Sequence, residues 1–586
     1  MATLLVCLVL CTGRGLGQRA GGRRAGAEQE RGNAAAQGRR ARLVLLIVVD
    51  QFRYDYLERF GDLFAEGGLR RLMRDGASWT EADYDHTPTY TAPGHATLMT
   101  GAWPAESGIV GNEWLDRDTG KRVTSVSDST TKMLGGAAGK SASSPRRLMA
   151  STLGDELRLA TNDRAKVIGI SLKDRSAILP AGRHATAAYW FSTESGTMVS
   201  SDYYFNRLPD WTNNFNAARP ADKYFAARWE RLLPSVAEYE GRAGADSPAW
   251  ESLIDAPGET NSFPHVITGG ASRVGPDFYE ALEYSPFSND LLVDFAKQAI
   301  TNEHLGEDEE TDVLTVSFSA NDYVGHRFGP YSQEAMDATL RVDRQIEALL
   351  DFVNARVGLR NTLVAFTADH GVAPVPEHAN ALGLPGGRIQ SADVVRAVRL
   401  AFTARFNPKN AQPDPTADYV LKYQDGKGAR DAFFNANLYL DTIALKRDGV
   451  DAEEAARVAG EAAMTVPGIK RYFTRGQLER AGISAADPLA RRALHGFYAR
   501  RSGDVVFVYE PFKYLLDEPV LATHGSPYSY DTHVPLIIMG AGVMPGRYTQ
   551  AAMPSDIAPT LASLLRVQAP SNSVGRPLTE AFTRSP

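Results

Sequence analysis

Short apolar runs rich in β-branched residues recur along the chain, and polar residues follow them. The first run, Leu43–Val49, contains no polar residue and ends at Asp50. A continuous run of this length is typical of a central strand that is buried on both faces. Similar runs predict further strands, at Val167–Ser171, Asp312–Phe318, Thr362–Thr367, Val505–Tyr509 and 534–539.

Amphipathic segments separate these runs and predict helices. They are 67–74, 148–160, 290–299, 333–353 and 452–464, and a last helix is expected from Ser555, as N-cap, through Leu565. Strands that alternate with helices predict an α/β fold with a doubly wound, mostly parallel central sheet flanked by helices. The segments 113–285 and 375–500 break this alternation, and we expect them to be cap insertions on the sheet.

The first 41 residues are predicted to precede the folded domain, which would cover 42–586. Residues 4–11 form an apolar run that is too short to span a bilayer but suits a signal peptide, with a cleavage site near Gly17. No Lys or Arg precedes this run, and a buried N-terminal strand is the alternative. Residues 18–41 are rich in Gly, Ala and Arg and predict a disordered spacer. We therefore expect a signal peptide at 1–17 and a periplasmic or secreted protein.

Charge and hydropathy exclude several classes of partner. The formal net charge is -7 and the pI is about 6.0, whereas a nucleic-acid-binding surface normally requires a basic surplus. No stable membrane span is expected once the signal peptide is removed. Small molecules are therefore the expected partners, and the sequence carries no signature of an oligomeric state.

Metal-ligating side chains gather where predicted strands end, which is where ligands collect in α/β sheets. Carboxylate oxygen and imidazole nitrogen suit a divalent metal such as zinc, with manganese, cobalt and iron as alternatives. A single Asp-His pair is usually a loop or capping contact, but six such residues in this arrangement predict a two-metal site. They are Asp50, Asp322, His326, Asp369, His370 and His524.

A threonine-rich segment contains a candidate nucleophile. Pro93 suits the first turn of a helix that continues through Thr97, and Thr91 lies just before that turn. The positive end of a helix dipole and its free backbone N–H groups favour an ionised hydroxyl and a bound phosphate. Thr91 is therefore either a nucleophile or simply the N-cap of this helix.

Taken together, the motifs resemble the alkaline phosphatase superfamily, and most closely the periplasmic bacterial alkaline phosphatases with a threonine nucleophile. The matching pieces are Val48-Val49-Asp50-Gln51, Pro88-Thr-Tyr-Thr-Ala-Pro-Gly-His95, Gly111-Asn112, Lys173-Asp-Arg175, Asn321-Asp322, Gly325-His326, Ala368-Asp369-His370-Gly371 and Thr523-His524-Gly525. They lie between about residue 42 and residue 570. The resemblance implies an alkaline phosphatase, a phosphoric monoester hydrolase, with its catalytic domain at 42–586.

The resemblance also implies a role for each matching residue. One zinc ion would be held by Asp50, Asp369 and His370 and would contact the Thr91 oxygen, and a second would be held by Asp322, His326 and His524. His533, in Asp-Thr-His-Val-Pro, is the alternative to His524. Asn112 would donate to a phosphoryl oxygen, and Lys173 and Arg175 would reach the phosphoryl group from the cap insertion.

Thr91 would attack phosphorus and form a phosphothreonine intermediate. Water activated by the second metal would then hydrolyse this intermediate.

Related enzyme classes fit the sequence less well. Sulfatases of this superfamily need a Cys or Ser where this chain has Thr91, and the only cysteines, Cys7 and Cys11, lie in the predicted signal peptide. Metal-dependent phosphoglycerate mutases use Ser at this place. A binding protein without catalysis would be expected to lack a ligand or the nucleophile.

Nucleotide pyrophosphatases/phosphodiesterases are the remaining alternative, because they also use Thr. A phosphate monoester carries two negative charges and gains from extra cations, whereas a diester needs room for a second substituent. Lys173 and Arg175 could supply these cations, and a solvated surface pair is the other interpretation of this motif. We therefore expect phosphate monoesters as substrates.

Overall fold

Eleven strands of the described residues form one central sheet. In chain order they are β1 (Leu43–Val49), β2 (Ala77–Trp79), β3 (Ser127–Leu134), β4 (Ser141–Ser143), β5 (Val167–Ser171), β6 (Ala187–Ser192), β7 (Thr197–Ser201), β8 (Asp312–Phe318), β9 (Thr362–Thr367), β10 (Leu536–Met539) and β11 (Gly546–Tyr548). Their spatial order is β11-β2-β10-β9-β1-β8-β5-β6-β7-β3-β4.

The centre of the sheet is parallel and its flanks are mixed. Strands β9, β1, β8, β5 and β6 run parallel to one another. Strand β10 pairs antiparallel with both β9 and β2, and the far side from β6 to β4 is antiparallel. The predicted α/β architecture is thus confirmed. The mostly parallel arrangement holds for the buried centre, where apolar runs such as β1 are fully enclosed.

Helices flank this sheet or belong to the second predicted insertion. Their bounds are Asp55–Arg59, Leu69–Asp75, Thr91–Thr100, Pro104–Ser107, Leu153–Ala160, Asp174–Ala181, Asp210–Ala217, Val236–Ala243, Pro276–Glu283, Phe287–Asn302, Ala320–Phe328, Gln333–Arg356, Pro376–Ala381, Ser391–Phe406, Thr442–Arg447, Ala452–Ala463, Arg475–Glu479, Pro488–His495, Ser529–Thr532 and Ile557–Leu565. The last helix begins at Ile557 after a short 3-10 turn, so the prediction of Ser555 as its N-cap is wrong.

The computed structural model describes residues 41–136, 141–251, 260–407, 418–426, 428–480, 483–484, 486–515 and 520–583. The predicted signal peptide and the spacer up to residue 40 lie outside these residues. Ala41, the last residue of the predicted spacer, is buried in the core beside β1, so order begins at least one residue earlier than expected. Within the described residues, none of the helices combines the length and the apolar character needed to cross a bilayer.

The segment predicted as a cap at 113–285 contributes largely to the central sheet. Strands β3 to β7 all lie in it, and only the remaining parts form smaller elements, such as the hairpin of Glu113–Asp116 with Lys121–Thr124. The prediction of this segment as an insertion outside the sheet is therefore wrong. Of its strands, β5 is predicted by its apolar run at Val167–Ser171. The polar and partly exposed sequence of β3, which lies towards an edge of the sheet, does not predict a strand.

The second predicted insertion, 375–500, builds a separate layer with its own core. Strands Phe433–Phe434, Asn437–Leu438, Ile469–Thr474 and Val505–Tyr509 form a four-stranded antiparallel sheet, against which helices Ser391–Phe406 and Ala452–Ala463 pack. Because Val505–Tyr509 belongs to this sheet, the layer extends beyond residue 500. We refer to residues 375–515 as the second layer.

Candidate active site

Four neighbouring parallel strands place several of the predicted site residues at one edge of the central sheet. In the order β9, β1, β8, β5, these strands end just before Asp369, Asp50, Asp322 and Lys173. Parallel strands present their carboxyl ends at the same edge, so residues that are far apart in the chain meet there.

The first metal-binding group consists of Asp50, Asp369 and His370, all without solvent exposure. His370 Nε2 lies 3.5 Å from Asp50 Oδ1 and 3.4 Å from Asp369 Oδ2. Among the described residues, Asp50 Oδ1 accepts no hydrogen bond, and the neighbour of Asp369 Oδ2 on its other side is His95 Nδ1 at 3.1 Å. Burial raises the pKa of Asp50 well above its usual value, and the neighbouring carboxylates of Asp322 and Asp369 raise it further. Two buried oxygens that converge on an imidazole nitrogen fit a divalent cation.

The second group is built around Asp322. His326 Nε2 lies 3.2 Å and His524 Nε2 3.7 Å from Asp322 Oδ1. His326 follows Asp322 by one turn of the helix Ala320–Phe328, so both side chains lie on the same helix face. Burial opposes ionisation of Asp322, but His326 and Lys173 outweigh it and hold the pKa of this carboxyl well below its usual value. An ionised carboxylate facing two imidazoles also fits a divalent cation.

Hydrogen bonds at the Nδ1 atoms aim all three histidines into the site. His370 Nδ1 contacts Gly371 O at 2.9 Å, His326 Nδ1 contacts Ala522 O at 2.7 Å, and His524 Nδ1 contacts Thr89 O at 2.8 Å. The rings of His370 and His524 stack with their centroids 3.5 Å apart, so the two groups adjoin. A backbone acceptor on one ring nitrogen leaves the other nitrogen free to bind a metal.

His533, the alternative ligand, lies outside both groups. Its Nε2 contacts Thr80 O at 2.9 Å, and its ring stacks on Tyr54 with the centroids 4.2 Å apart. The structure therefore brings His524, and not His533, to the remaining five predicted ligands.

Thr91 lies beside the first group, as the first residue of the helix Thr91–Thr100. Its hydroxyl is 3.5 Å from His370 Nε2, and its residue is 1% exposed. The N-cap position belongs to Tyr90, which is extended and makes no side-chain capping bond, so the hydroxyl of Thr91 is not used as a cap. Gly94 allows the helix to approach this closely, because a Cβ there would meet Asp369 O at 2.2 Å.

Asn112 stands across from the start of this helix. Its Oδ1 accepts a hydrogen bond from the Ala92 backbone N–H at 2.8 Å. Because the carboxamide oxygen is engaged in this way, the NH₂ group of Asn112 remains as the donor. Both Asn112 and Thr91 line the same cleft.

Lys173 and Arg175 enter from the central sheet, after β5, and not from a cap insertion as predicted. The physical reason is that β5 is a buried central strand, and its end coincides with those of β1 and β8. Lys173 Nζ lies 2.7 Å from Asp50 Oδ2 and 2.5 Å from Asp322 Oδ2, and so connects the two groups. Arg175 lines the cleft, and its Nε finds no hydrogen-bond partner among the residues that the structure describes.

Two further residues contact the groups although the sequence motifs gave them no role. Gln51 has φ of 65°, and its amide nitrogen donates to Asp322 Oδ1 at 2.6 Å while its backbone N–H donates to Asp369 Oδ1 at 3.1 Å. His95 Nδ1 lies 2.9 Å from Thr91 O and 3.1 Å from Asp369 Oδ2. Both lie within motifs shared with the alkaline phosphatase superfamily, and this position is the only sequence signal that could have indicated a role for them.

A cleft of about 910 Å³ opens above the site. On one side it is lined by Thr91, Asn112, Lys173 and Arg175, and on the other by residues of the second layer, including Tyr423, Phe434 and Lys513. This volume exceeds that of a phosphoryl group, so the second layer forms the walls around the rest of a bound molecule.

Comparisons with known proteins agree with this geometry. A family model described as type I phosphodiesterase / nucleotide pyrophosphatase matches residues 44–425. Alkaline phosphatase PhoV of Synechococcus elongatus is 36% identical over 554 residues, which are 92% of this chain and 93% of that protein. Alkaline phosphatase PafA of Elizabethkingia meningoseptica is 34% identical over 550 residues, covering 93% of this chain and 95% of PafA. The crystal structure of wild-type PafA superposes with a TM-score of 0.83 over 93% of this chain and 99% of that one, at 33% identity.

Proposed function

The chain belongs to the type I phosphodiesterase / nucleotide pyrophosphatase family and is an alkaline phosphatase, and we propose that it cleaves phosphate monoesters through a phosphothreonine intermediate on Thr91. The observation that carries the proposal is the position of the Thr91 hydroxyl. It is buried at the start of a helix, 3.5 Å from His370 Nε2 and beside two groups of metal-binding residues. A hydroxyl in these surroundings can be activated as a nucleophile by metal coordination.

The enzyme depends on metal ions, and we assign two zinc ions to its two groups. Asp50, Asp369 and His370 would hold one of them, with the Thr91 oxygen as a further ligand. Asp322, His326 and His524 would hold the other. When bound, the metals would lower the pKa values of the Thr91 hydroxyl and of water and would neutralise charge on the phosphoryl oxygens. Support comes from the mixed carboxylate and imidazole donors and from Asp50 Oδ1, a buried oxygen that accepts no hydrogen bond from the described residues.

The chain's own residues would bind and orient the phosphoryl group. Thr91 Oγ1 attacks phosphorus as the ester oxygen leaves in line, and water later displaces Thr91 from phosphorus by the same geometry. The NH₂ group of Asn112 donates to one non-bridging oxygen. Lys173 and Arg175 place positive charge near the others, where burial strengthens the interaction. The N-terminus of the helix Thr91–Thr100 adds its dipole.

The preference for monoesters over diesters is attributed to the same cations. A monoester has one more negative charge on its non-bridging oxygens, and Lys173 and Arg175 would stabilise that charge in the transition state. A diesterase needs an apolar place for a second ester substituent at the same position. Two cations that follow β5 into the site favour the monoester.

We further propose that the enzyme acts outside the cytoplasm. The apolar run at 4–11 and the spacer at 18–41 are typical of an exported protein, with 42–586 as the catalytic domain. The second layer is the part of this domain that acts as a cap over the site.

The decisive experiment compares kcat/KM for p-nitrophenyl phosphate and bis-p-nitrophenyl phosphate on purified wild-type enzyme with zinc present. We expect the monoester to be preferred by orders of magnitude. A preference for the diester would make the protein a phosphodiesterase, and the cleft wall of the second layer would then be the place for the second ester group.

A further inference from the structure

The motif Asp531-Thr532-His533 remains without a function, because His533 lies outside the metal-binding groups. It belongs to the segment Tyr528–His533, a short helix with its flanking residues, which we call the Asp531 segment. Asp531 is fully buried and lines the cleft close to His524. A buried carboxyl is costly unless it performs a specific task, so its contacts indicate what the segment does.

The side chain of Asp531 holds the turn that carries His524. Asp531 Oδ2 accepts a hydrogen bond from the Ser526 backbone N–H at 2.7 Å. The same turn receives the hydroxyls of the loop before Thr91: Thr87 donates to Gly525 O at 3.2 Å and Thr89 donates to Ser526 O at 2.9 Å. The orientation of His524 therefore depends on a turn that the Asp531 carboxylate holds through the backbone N–H of Ser526.

The main chain of the same segment holds the loop that carries His370. Gly371 N–H donates to Asp531 O at 2.8 Å, and Val372 N–H donates to Tyr530 O at 2.9 Å. The approach is so close that a Cβ on Gly371 would meet Tyr530 O at 2.2 Å. These contacts involve only backbone atoms of the segment, so they do not depend on which side chain stands at position 531.

We infer that Asp531 is a positioning residue that sets the direction of His524, and with it the affinity of the second metal-binding group, by accepting the Ser526 backbone hydrogen bond. The inference rests on the proposed two-metal function and deepens it. In the Asp531 segment, the side chain of Asp531 holds the turn that carries His524. The backbone atoms of the segment hold the loop that carries His370. Loss of the Asp531 side chain should thus affect the two metals unequally.

The acceptor, and not the charge, is what this role requires. Burial raises the pKa of Asp531 to about 7, so the side chain need not be fully ionised at neutral pH to occupy its place. An asparagine offers a carbonyl oxygen to the same N–H group, whereas leucine has a similar volume and no acceptor. Asp531→Asn should therefore preserve the geometry that Asp531→Ala and Asp531→Leu destroy.

The test measures zinc affinity by competition with a chromophoric chelator that resolves two sites per chain. In Asp531→Ala, the zinc affinity of the second group, which contains His524, should fall about 10- to 100-fold. The zinc affinity of the first group should stay within about twofold of wild type. Asp531→Asn should restore the weakened site to within a few-fold of wild type. Asp531→Leu replaces the alanine variant if the cavity left by alanine prevents folding, which circular dichroism would reveal.

Asp312→Ala is the matched control. Asp312 is also a buried aspartate, and it accepts backbone N–H groups from Lys166 at 2.8 Å and Gly306 at 2.9 Å at the opposite end of β8. This variant should lower the melting temperature and leave both zinc affinities unchanged. Two unchanged sites in Asp531→Ala and Asp531→Leu, or equal weakening of both sites, would overturn the inference. A wild-type enzyme that binds no zinc would overturn the proposed metal site itself, and so the two failures are distinguishable.

Discussion

Replacing both Lys173 and Arg175 with alanine tests how the enzyme distinguishes a doubly charged monoester from a singly charged diester. The side chain of Lys173 is 3% exposed, so its contact with a phosphoryl oxygen would form in a site from which water is largely excluded. A hydrogen bond to a charged group contributes about 1.5–3 kcal/mol, so the two cations together contribute about 3–6 kcal/mol. At about 1.4 kcal/mol per factor of ten, kcat/KM for the monoester should fall about 10²- to 10⁴-fold.

The diester should lose about tenfold or less, because it lacks the second negative charge that the cations would bind. The assay is kcat/KM for p-nitrophenyl phosphate and for bis-p-nitrophenyl phosphate, measured on the same preparations. Lys513→Ala serves as the control, since Lys513 lines the same cleft but is paired with Glu510 at 2.6 Å. Its removal should change both substrates by the same small factor.

One competing effect must be separated from this prediction. Lys173 also contacts the carboxylates of Asp50 and Asp322, so its loss could release metal and lower both activities together. Zinc content is therefore measured on every variant. Arg175→Ala alone provides a second check, because Arg175 makes no hydrogen bond or ion pair with a metal-binding residue within the described parts of the chain. Equal losses on both substrates with the zinc retained would refute the charge-based reasoning.

Three further predictions concern the nucleophile and the metals. Thr91→Ala should lower kcat at least about 10³-fold while zinc stays bound, and turnover like that of wild type would exclude Thr91 as the nucleophile. Dialysis against EDTA should abolish activity and zinc should restore it, whereas full activity of protein shown to be metal-free would contradict a metal-dependent reaction. His524→Ala should cost one zinc ion, while His533→Ala, which loses a contact with Thr80 O and stacking on Tyr54, should keep both; the opposite result would reverse their assignment.

The parts of the fold that the sequence predicts well are those whose residues are uniformly buried. The bounds of β1, β5, β8 and β9 agree with the apolar runs because a central parallel strand has no polar face to interrupt its pattern. Strand β3, with the sequence SDSTTKML, has several exposed residues near the sheet edge, and its pattern is that of a loop. Strand β3 could therefore not be predicted from the same signal, although β5 in the same segment could.

The strand that carries Lys173 illustrates the consequence for the site. The apolar run of β5 predicts a strand, but the aromatic and polar composition of the surrounding segment favours a cap insertion. Pairing of β5 with β8 decides the matter, since it places Lys173 beside Asp322. This pairing joins residues about 150 positions apart, and local sequence patterns contain no information on partners at such a distance.

The sequence does not decide between His524 and His533 as the metal ligand. Both His524 and His533 have the chemistry of a zinc ligand, so residue type alone cannot choose between them. The choice depends on which distant residue each ring contacts, and His524 Nδ1 contacts Thr89 O, 435 residues away in the chain. His370 differs from His524 in this respect, because its Nδ1 contacts the adjacent Gly371 O. A ligand oriented by its own neighbour can be anticipated from a short motif. A ligand oriented by a distant loop and by a buried carboxyl such as Asp531 can be identified only when the chain is folded. For this reason the sequence of this motif indicates His533 as a candidate ligand, whereas the structure indicates a role for Asp531.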